Sequence, residues 1–251
     1  MSGHSKWATI KRKKGATDAA RGRLFTRLIR EITIAARNGG GNPEGNPRLR
    51  LAISAAKAAN MPADNIKRGI QKGTGELPGT TLEEVTFEGY GPGGVAIIVE
   101  AVTDNNNRTV SEMRHIFSRH NGNMGGSVAW MFSRKGTVSI PRGGKNAALT
   151  EDDLLGLILD AGADDLQTDS ESFTVTTSPQ TFDTVRKALE EKGIAVENAS
   201  LTMVAQNTVK SGGKDAEQLL KLMEALEEHD DVQNVYANFD IDDKELVALG
   251  A

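Results

Sequence analysis

The chain has 251 residues, of which 38% are hydrophobic, 25% charged and only 4% aromatic, with a net charge of -4. That is enough apolar material for folded cores but thin for one large core, which points to several small modules. With no cysteine, disulfide scaffolds, thiolate metal sites and cysteine nucleophiles are excluded. No apolar run approaches the ~20 residues a membrane span needs, and MSGHSKWATIKRKKG lacks the apolar core of a secretory signal, so a soluble cytoplasmic protein with no membrane partner is expected.

The net charge conceals an asymmetry. Residues 1–72 carry 16 Lys and Arg against four acids (Asp18, Glu31, Glu44, Asp64), whereas the remainder carries 14 against 30. A head of +12 on a body of -16 predicts a polyanionic partner for the head. The competing reading is that the two parts neutralise each other within the molecule.

Residues 1–22 read as a basic arm with Lys6, Lys11, Arg12, Lys13, Lys14 and Arg21 and few apolar residues besides Trp7 and Ile10. Trp7 can stack on a base or pin the arm to the first helix. Residues 23–79 read as a helical domain. Leu24, Phe25, Leu28, Ile29 and Ile32 recur at helical spacing up to Asn38-Gly39. Asn46-Pro47 supplies a cap and first helical residue for a second helix with Leu49, Ala52, Ile53 and Ala56 inward. A third helix starts around Pro62, with Met61, Ile66 and Ile70 inward, and is expected to stop at Gly73.

From residue 80 strands and helices alternate. Strands are expected at 85–88, 95–102, 128–132, 137–140, 173–177, 201–204 and 232–239. Helices are expected from Asn107 to the Asn121-Gly122 stop, after Thr150 with Asp153 as a capping box, after Ser178-Pro179, and through Leu219, Leu222, Met223 and Leu226. Ser211-Gly212-Gly213 reads as a linker. The expected fold class is multidomain α+β: a three-helix basic bundle, then two ferredoxin-like split β-α-β units, one inserted in the other. The outer unit takes 80–134 with 207–251 and the inserted unit 135–206.

Chemistry motifs are sparse. Gly89-Tyr90-Gly91-Pro92-Gly93-Gly94 formally matches GxGxxG, but the β-branched Val95-Ala-Ile-Ile-Val behind it reads as a strand, not the helix a pyrophosphate needs, so a turn is expected. There is no Walker-type loop. His115 and His120 are five apart, off a common helical face, and with His4 and His229 they suggest no metal site. No Ser/His/Asp arrangement is suggested, so neither catalysis nor a cofactor is expected.

What remains is phosphate binding. The arm, Arg21, Arg23, Arg48, Arg50, Lys57, Lys67, Arg68 and Lys72 are the expected backbone contacts, and Asn60 and Asn65 the polar readers, with helix capping as their alternative role. Nothing in these residues separates DNA from RNA, and the stacking aromatics of an RNA-recognition sheet are missing.

Several long motifs carry a resemblance across nearly the whole chain: GHSKWATIKRKKG at the start, Asn46-Pro-Arg-Leu-Arg-Leu-Ala-Ile53, Asn60-Met-Pro-Ala-Asp-Asn-Ile-Lys-Arg68, Glu88-Gly-Tyr-Gly-Pro-Gly-Gly94, Thr103-Asp-Asn-Asn-Asn-Arg-Thr109 and Gly126-Ser-Val-Ala-Trp-Met-Phe132. They resemble the YebC/PmpR family. The resemblance implies an N-terminal helical domain followed by two nested α/β domains, and a cytoplasmic regulator of gene expression that is not an enzyme. It adds His4 and Ser5, beside Lys6 and Trp7 in the opening motif, to the expected nucleic-acid surface. Bacterial members are usually described as DNA-binding transcriptional regulators. A mitochondrial relative is a translational activator, and some bacterial members are described as ribosome-associated factors relieving stalls at proline runs. The leading expectation is therefore a DNA-binding transcriptional regulator. The alternatives are a translation factor on ribosomal RNA or tRNA, and a ligand-sensing or catalytic protein using an inter-domain cleft.

Overall fold

The computed structural model describes residues 18–169, 171–242, 245, 246 and 249. Three helices lead: α1 (Asp18–Gly39), α2 (Pro47–Ala58) and α3 (Ala63–Thr74). Their shared core is Ile32, Ala35, Ala36, Leu49, Ala52, Ala56, Met61 and Ile66, with Phe25, Leu28, Ile29, Ile53 and Ile70 packed around it. Helix α1 already includes Arg21 and Gly22, which the sequence placed in the arm. Ala19, Ala20 and Arg21 are good helix formers and outweigh the single glycine.

Asn46 starts α2 as expected. Its carbonyl oxygen accepts from the Leu49 N–H, while its amide donates to the carbonyls of Ala35 and Gly40, so one buried side chain also ties α2 to α1. Helix α3 does not stop at Gly73. It continues to Thr74 and closes on Gly75 at φ +82°. Gly73 lies inside the helix because a Cβ there would run into the Thr33 carbonyl and the Ala36 methyl of α1. Its missing side chain allows close helix packing, which outweighs its poor helix propensity.

The rest of the described residues build two four-stranded antiparallel sheets and one short parallel strand pair, so the α+β class with an N-terminal helical part holds. The described residues up to Val128 and from Thr208 onward form one compact unit, and Ala129–Asn207 the other. In the first, the outer unit, β1 (Glu83–Tyr90) and β2 (Ala96–Thr103) form a hairpin. They are followed by α4 (Asn106–Arg119) and the short β3 (Asn123–Met124). The GYGPGG segment is a turn. Strand β1 runs through Tyr90, Pro92–Gly94 makes one 3-10 turn with Gly93 and Gly94 at positive φ, and β2 follows directly.

The inserted unit begins with a 3-10 turn at Ala129–Met131, where the sequence suggested a strand from Val128. From Phe132 a single strand, β4, runs unbroken to Pro141. Then come α5 (Glu151–Asp160), β5 (Ala163–Thr168), β6 (Ser172–Thr177), α6 (Phe182–Glu191) and β7 (Asn198–Ala205). The β-α-β-β-α-β order and the sheet order β5-β6-β4-β7 are those of a ferredoxin-like unit. Strand β5 had no sequence signal: ADDLQT is an edge strand, polar on both faces.

The chain then returns to the outer unit with β8 (Val209–Lys210), α7 (Gly213–Glu228), β9 (Val232–Ala237) and β10 (Phe239–Asp240). Residues 211–212, with Gly213, do not act as a free linker, because β8 pairs in parallel with β10 and Gly213 already opens α7. The outer sheet has the order β3-β1-β2-β9. It begins with a hairpin and carries one split crossing, β2-α4-β3 around β1, where a ferredoxin-like unit has two. Its core packs Ile97, Val99 and Ala101 of β2 against Met113 and Phe117 of α4 and Leu219, Leu222, Met223 and Leu226 of α7.

Candidate nucleic-acid interface

Most cations of the helical region fall into two sets. The inward set joins the bundle to the acidic outer unit. Arg30 of α1 sends Nη1 to the carbonyls of Val102 (3.1 Å) and Asp230 (2.6 Å) and to Oδ1 of Asp231 at 2.8 Å. The other Asp231 oxygen accepts from Arg108 Nη2 at 2.8 Å and from the Thr109 hydroxyl at 2.7 Å. The Asp231 side chain is only 3% exposed. Burial alone would push its carboxyl up, but the Thr109 hydroxyl and the Arg108 and Arg30 guanidinium groups outweigh that and hold it at about 2.

Arg48 of α2 makes a second tie. Its guanidinium meets Glu31 at 2.7 Å and Glu84 of β1 at 2.6 Å, and the Glu31 hydrogen bond, aided by Glu84, raises its pKa against the cost of burial. Glu84 is held below its usual value mainly by the same Arg48. Arg23 adds a pair with Glu228 at 3.3 Å. Mutual neutralisation of head and body is therefore real at Arg23, Arg30 and Arg48.

The outward set lies on α2 and α3. Lys57, Lys67, Arg68 and Lys72 are exposed and have no ion pair among the described residues. Arg50 is exposed and its Nη1 donates to the carbonyls of Pro43 (3.2 Å) and Glu44 (3.4 Å), which leaves its charge without an acidic partner among the described residues. Arg50 and Lys57 are seven residues apart and Arg68 and Lys72 four, so each pair shares a helical face. Arg21 sits 5.5 Å over the Phe25 ring.

Asn60 occupies the left-handed position after α2 at φ +57°. Its N–H donates to the Lys57 carbonyl and that of Met61 to Ala56, which is a Schellman cap. The capping role that sequence offered as its alternative is the one its backbone performs. Asn65 is half-buried near the start of α3. His4, Ser5, Lys6, Trp7, Lys11, Arg12, Lys13 and Lys14 lie outside the described residues.

Sequence reasoning missed Arg30, Arg108 and Asp231, although Arg108 stood inside the quoted TDNNNRT motif. Asp231 also belongs to a trio with Glu112 and His229 whose ligand atoms lie within 4.8 Å of one another. Both Asp231 oxygens are taken by guanidinium and hydroxyl donors. His229 Nδ1 accepts the Asp231 N–H at 3.1 Å, and Nε2 lies 2.9 Å from Glu112. A neutral imidazole there keeps its proton on Nε2 and donates it to Glu112. The trio is a closed hydrogen-bond network, not an open ligand set.

No helix among the described residues is long and apolar enough to cross a membrane. Residues 5–76 match the family described as TACO1/YebC protein N-terminal domain, and residues 82–239 that described as TACO1/YebC second and third domain. A probable transcriptional regulatory protein of Solibacter usitatus is 60% identical over 251 residues, covering 99% of each chain. One of the same description from Chlorobaculum tepidum is 57% identical over 252 residues, again covering 99% of each. The crystal structure of a conserved hypothetical protein from Aquifex aeolicus superposes with a TM-score of 0.80 at 48% identity, over 90% of this chain and 93% of that one. The chain therefore belongs to the TACO1/YebC family.

Proposed function

We propose that this protein is a cytoplasmic regulator of gene expression that acts by binding nucleic acid, with DNA in transcriptional control as its target, and that it works by binding rather than catalysis. The observation that carries this reading is the division of the cations. Arg23, Arg30 and, through Glu84, Arg48 hold the bundle on the outer unit, whereas Lys57, Lys67, Arg68 and Lys72 on α2 and α3 have no ion pair among the described residues. A rigid helical pair presenting Lys and Arg gains affinity for phosphates through counterion release. The relatives described as probable transcriptional regulatory proteins support the same reading.

The test is binding of the full chain to duplex DNA, with purified ribosomes as competitor at matched salt. Changing Lys67, Arg68 and Lys72 together to Glu is expected to weaken DNA binding at least tenfold. It should also flatten the salt slope by about 0.9 for each phosphate that is no longer neutralised. Affinity and slope left unchanged by the triple reversal would remove this face from the proposal. Ribosomes that compete far better than promoter DNA would replace transcription with translation as the process regulated.

A further inference from the structure

We infer that β7 of the inserted unit is a self-pairing edge through which two copies of the chain associate. The two edges of the inserted sheet are treated differently. At one end β5 carries Asp164 and Asp165, has a register shift between Ala163 and Asp165, and ties Asp164 to Lys135 at 2.9 Å. Charge and irregularity of this kind block further strand addition. At the other end β7 runs for eight residues, NASLTMVA, with no charged residue and no proline. It pairs with β4 in continuous register from Phe132–Ala205 to Ser139–Asn198. Nothing among the described residues pairs with its other side.

The ladder fixes which groups face outward. The Gln206 N–H donates to the Met131 carbonyl, directly continuing the β4–β7 pairing, so the even-numbered residues of β7 bond to β4. The N–H and C=O groups of Ala199, Leu201, Met203 and Ala205 point away from the sheet. Their side chains share the sheet face of buried Val138, and Leu201 and Met203 remain only half-buried at the margin of the core. A second β7, antiparallel about a two-fold axis at Thr202, sets Leu201 opposite Met203 and Ala199 opposite Ala205. Every outward backbone group then has a partner, and the two half-buried apolar side chains are covered by their symmetry mates. The strand's neutrality is what allows a copy of itself as occupant, since a charged edge strand would meet its own charges across the axis.

In this arrangement the two Thr202 residues face each other as a non-hydrogen-bonded pair, with Cα atoms about 4.5 Å apart, within disulfide range. Thr202 pairs with Lys135 on the face away from Val138, and the chain has no native cysteine. Oxidised Thr202→Cys protein is therefore expected to give a single covalent dimer. The unmodified chain is expected to sediment as a dimer at about 100 µM. Met203→Pro removes an outward N–H but no bond to β4, so it should keep the circular dichroism of the parent and sediment as a monomer. An unmodified chain that stays monomeric at that concentration overturns the inference. So does a dimer that survives Met203→Pro, or Thr202→Cys protein that fails to cross-link.

Discussion

Replacing Asp231 with asparagine removes one negative charge and leaves Arg30 and Arg108 facing a neutral amide, while the Arg30 bonds to the Val102 and Asp230 carbonyls stay possible. The carboxyl of Asp231 titrates at about 2 in the folded protein against an ordinary value of 3.8. That difference corresponds to about 2 kcal/mol of stability at neutral pH. The side chain is almost fully buried, so solvent screening removes little of it. Because the folded pKa is depressed, the contribution is complete above the unfolded value near pH 4 and is lost as pH falls towards 2. The gap between the parent and Asp231→Asn should be about 2 kcal/mol at pH 7 and about half that near pH 3. The chain has two compact units, so one melting curve is a poor reporter. Amide hydrogen exchange of β2 and β9 reads the outer unit directly. A gap below about 0.5 kcal/mol at pH 7, or one that stays constant between pH 6 and pH 3, would refute the reasoning.

Three further substitutions test separate parts of the structure. Asn46→Ala loses a helix cap and leaves the Ala35 carbonyl without its amide donor, and should cost about 2–3 kcal/mol in denaturant unfolding of the unit that holds the helical bundle. Gly136→Ala places a methyl group against Phe182 and Thr177, and should destabilise the inserted unit by about 1–3 kcal/mol in exchange measurements while leaving β2 protection unchanged. Asn60→Gly should keep stability within about 0.5 kcal/mol and leave DNA affinity unaltered, because glycine suits the left-handed cap equally well. A tenfold affinity loss in that variant would show that the Asn60 amide touches nucleic acid.

Local signals were legible where a residue acts on its own neighbours. Asn46-Pro47 and Thr150 with Asp153 cap the helices they announced, and the β-branched run after GYGPGG correctly argued against a nucleotide loop. Features set by distant partners were not legible. Gly73 looked like a helix stop because the nearby α1 backbone that requires it is invisible in a local window. Strand β5 is polar on both faces, so no alternation marks it. Lys67, Arg68 and Lys72 were readable as the outer face of an amphipathic helix. Arg23 and Arg48 carry the same charge in the same region, and only acids at positions 228 and 84 show that they are engaged.

The insertion between β3 and β8 has a consequence for synthesis. Strand β2 cannot gain its second neighbour until β9 has been translated, and Arg30 cannot meet its counter-ion until Asp231 exists. A nascent chain thus presents Arg30 well before Asp231, and its inserted unit is complete in sequence while the surrounding sheet still lacks a strand. For that interval Arg23 and Arg30 are without Glu228 and Asp231, beside the polyanionic surface of the ribosome making them.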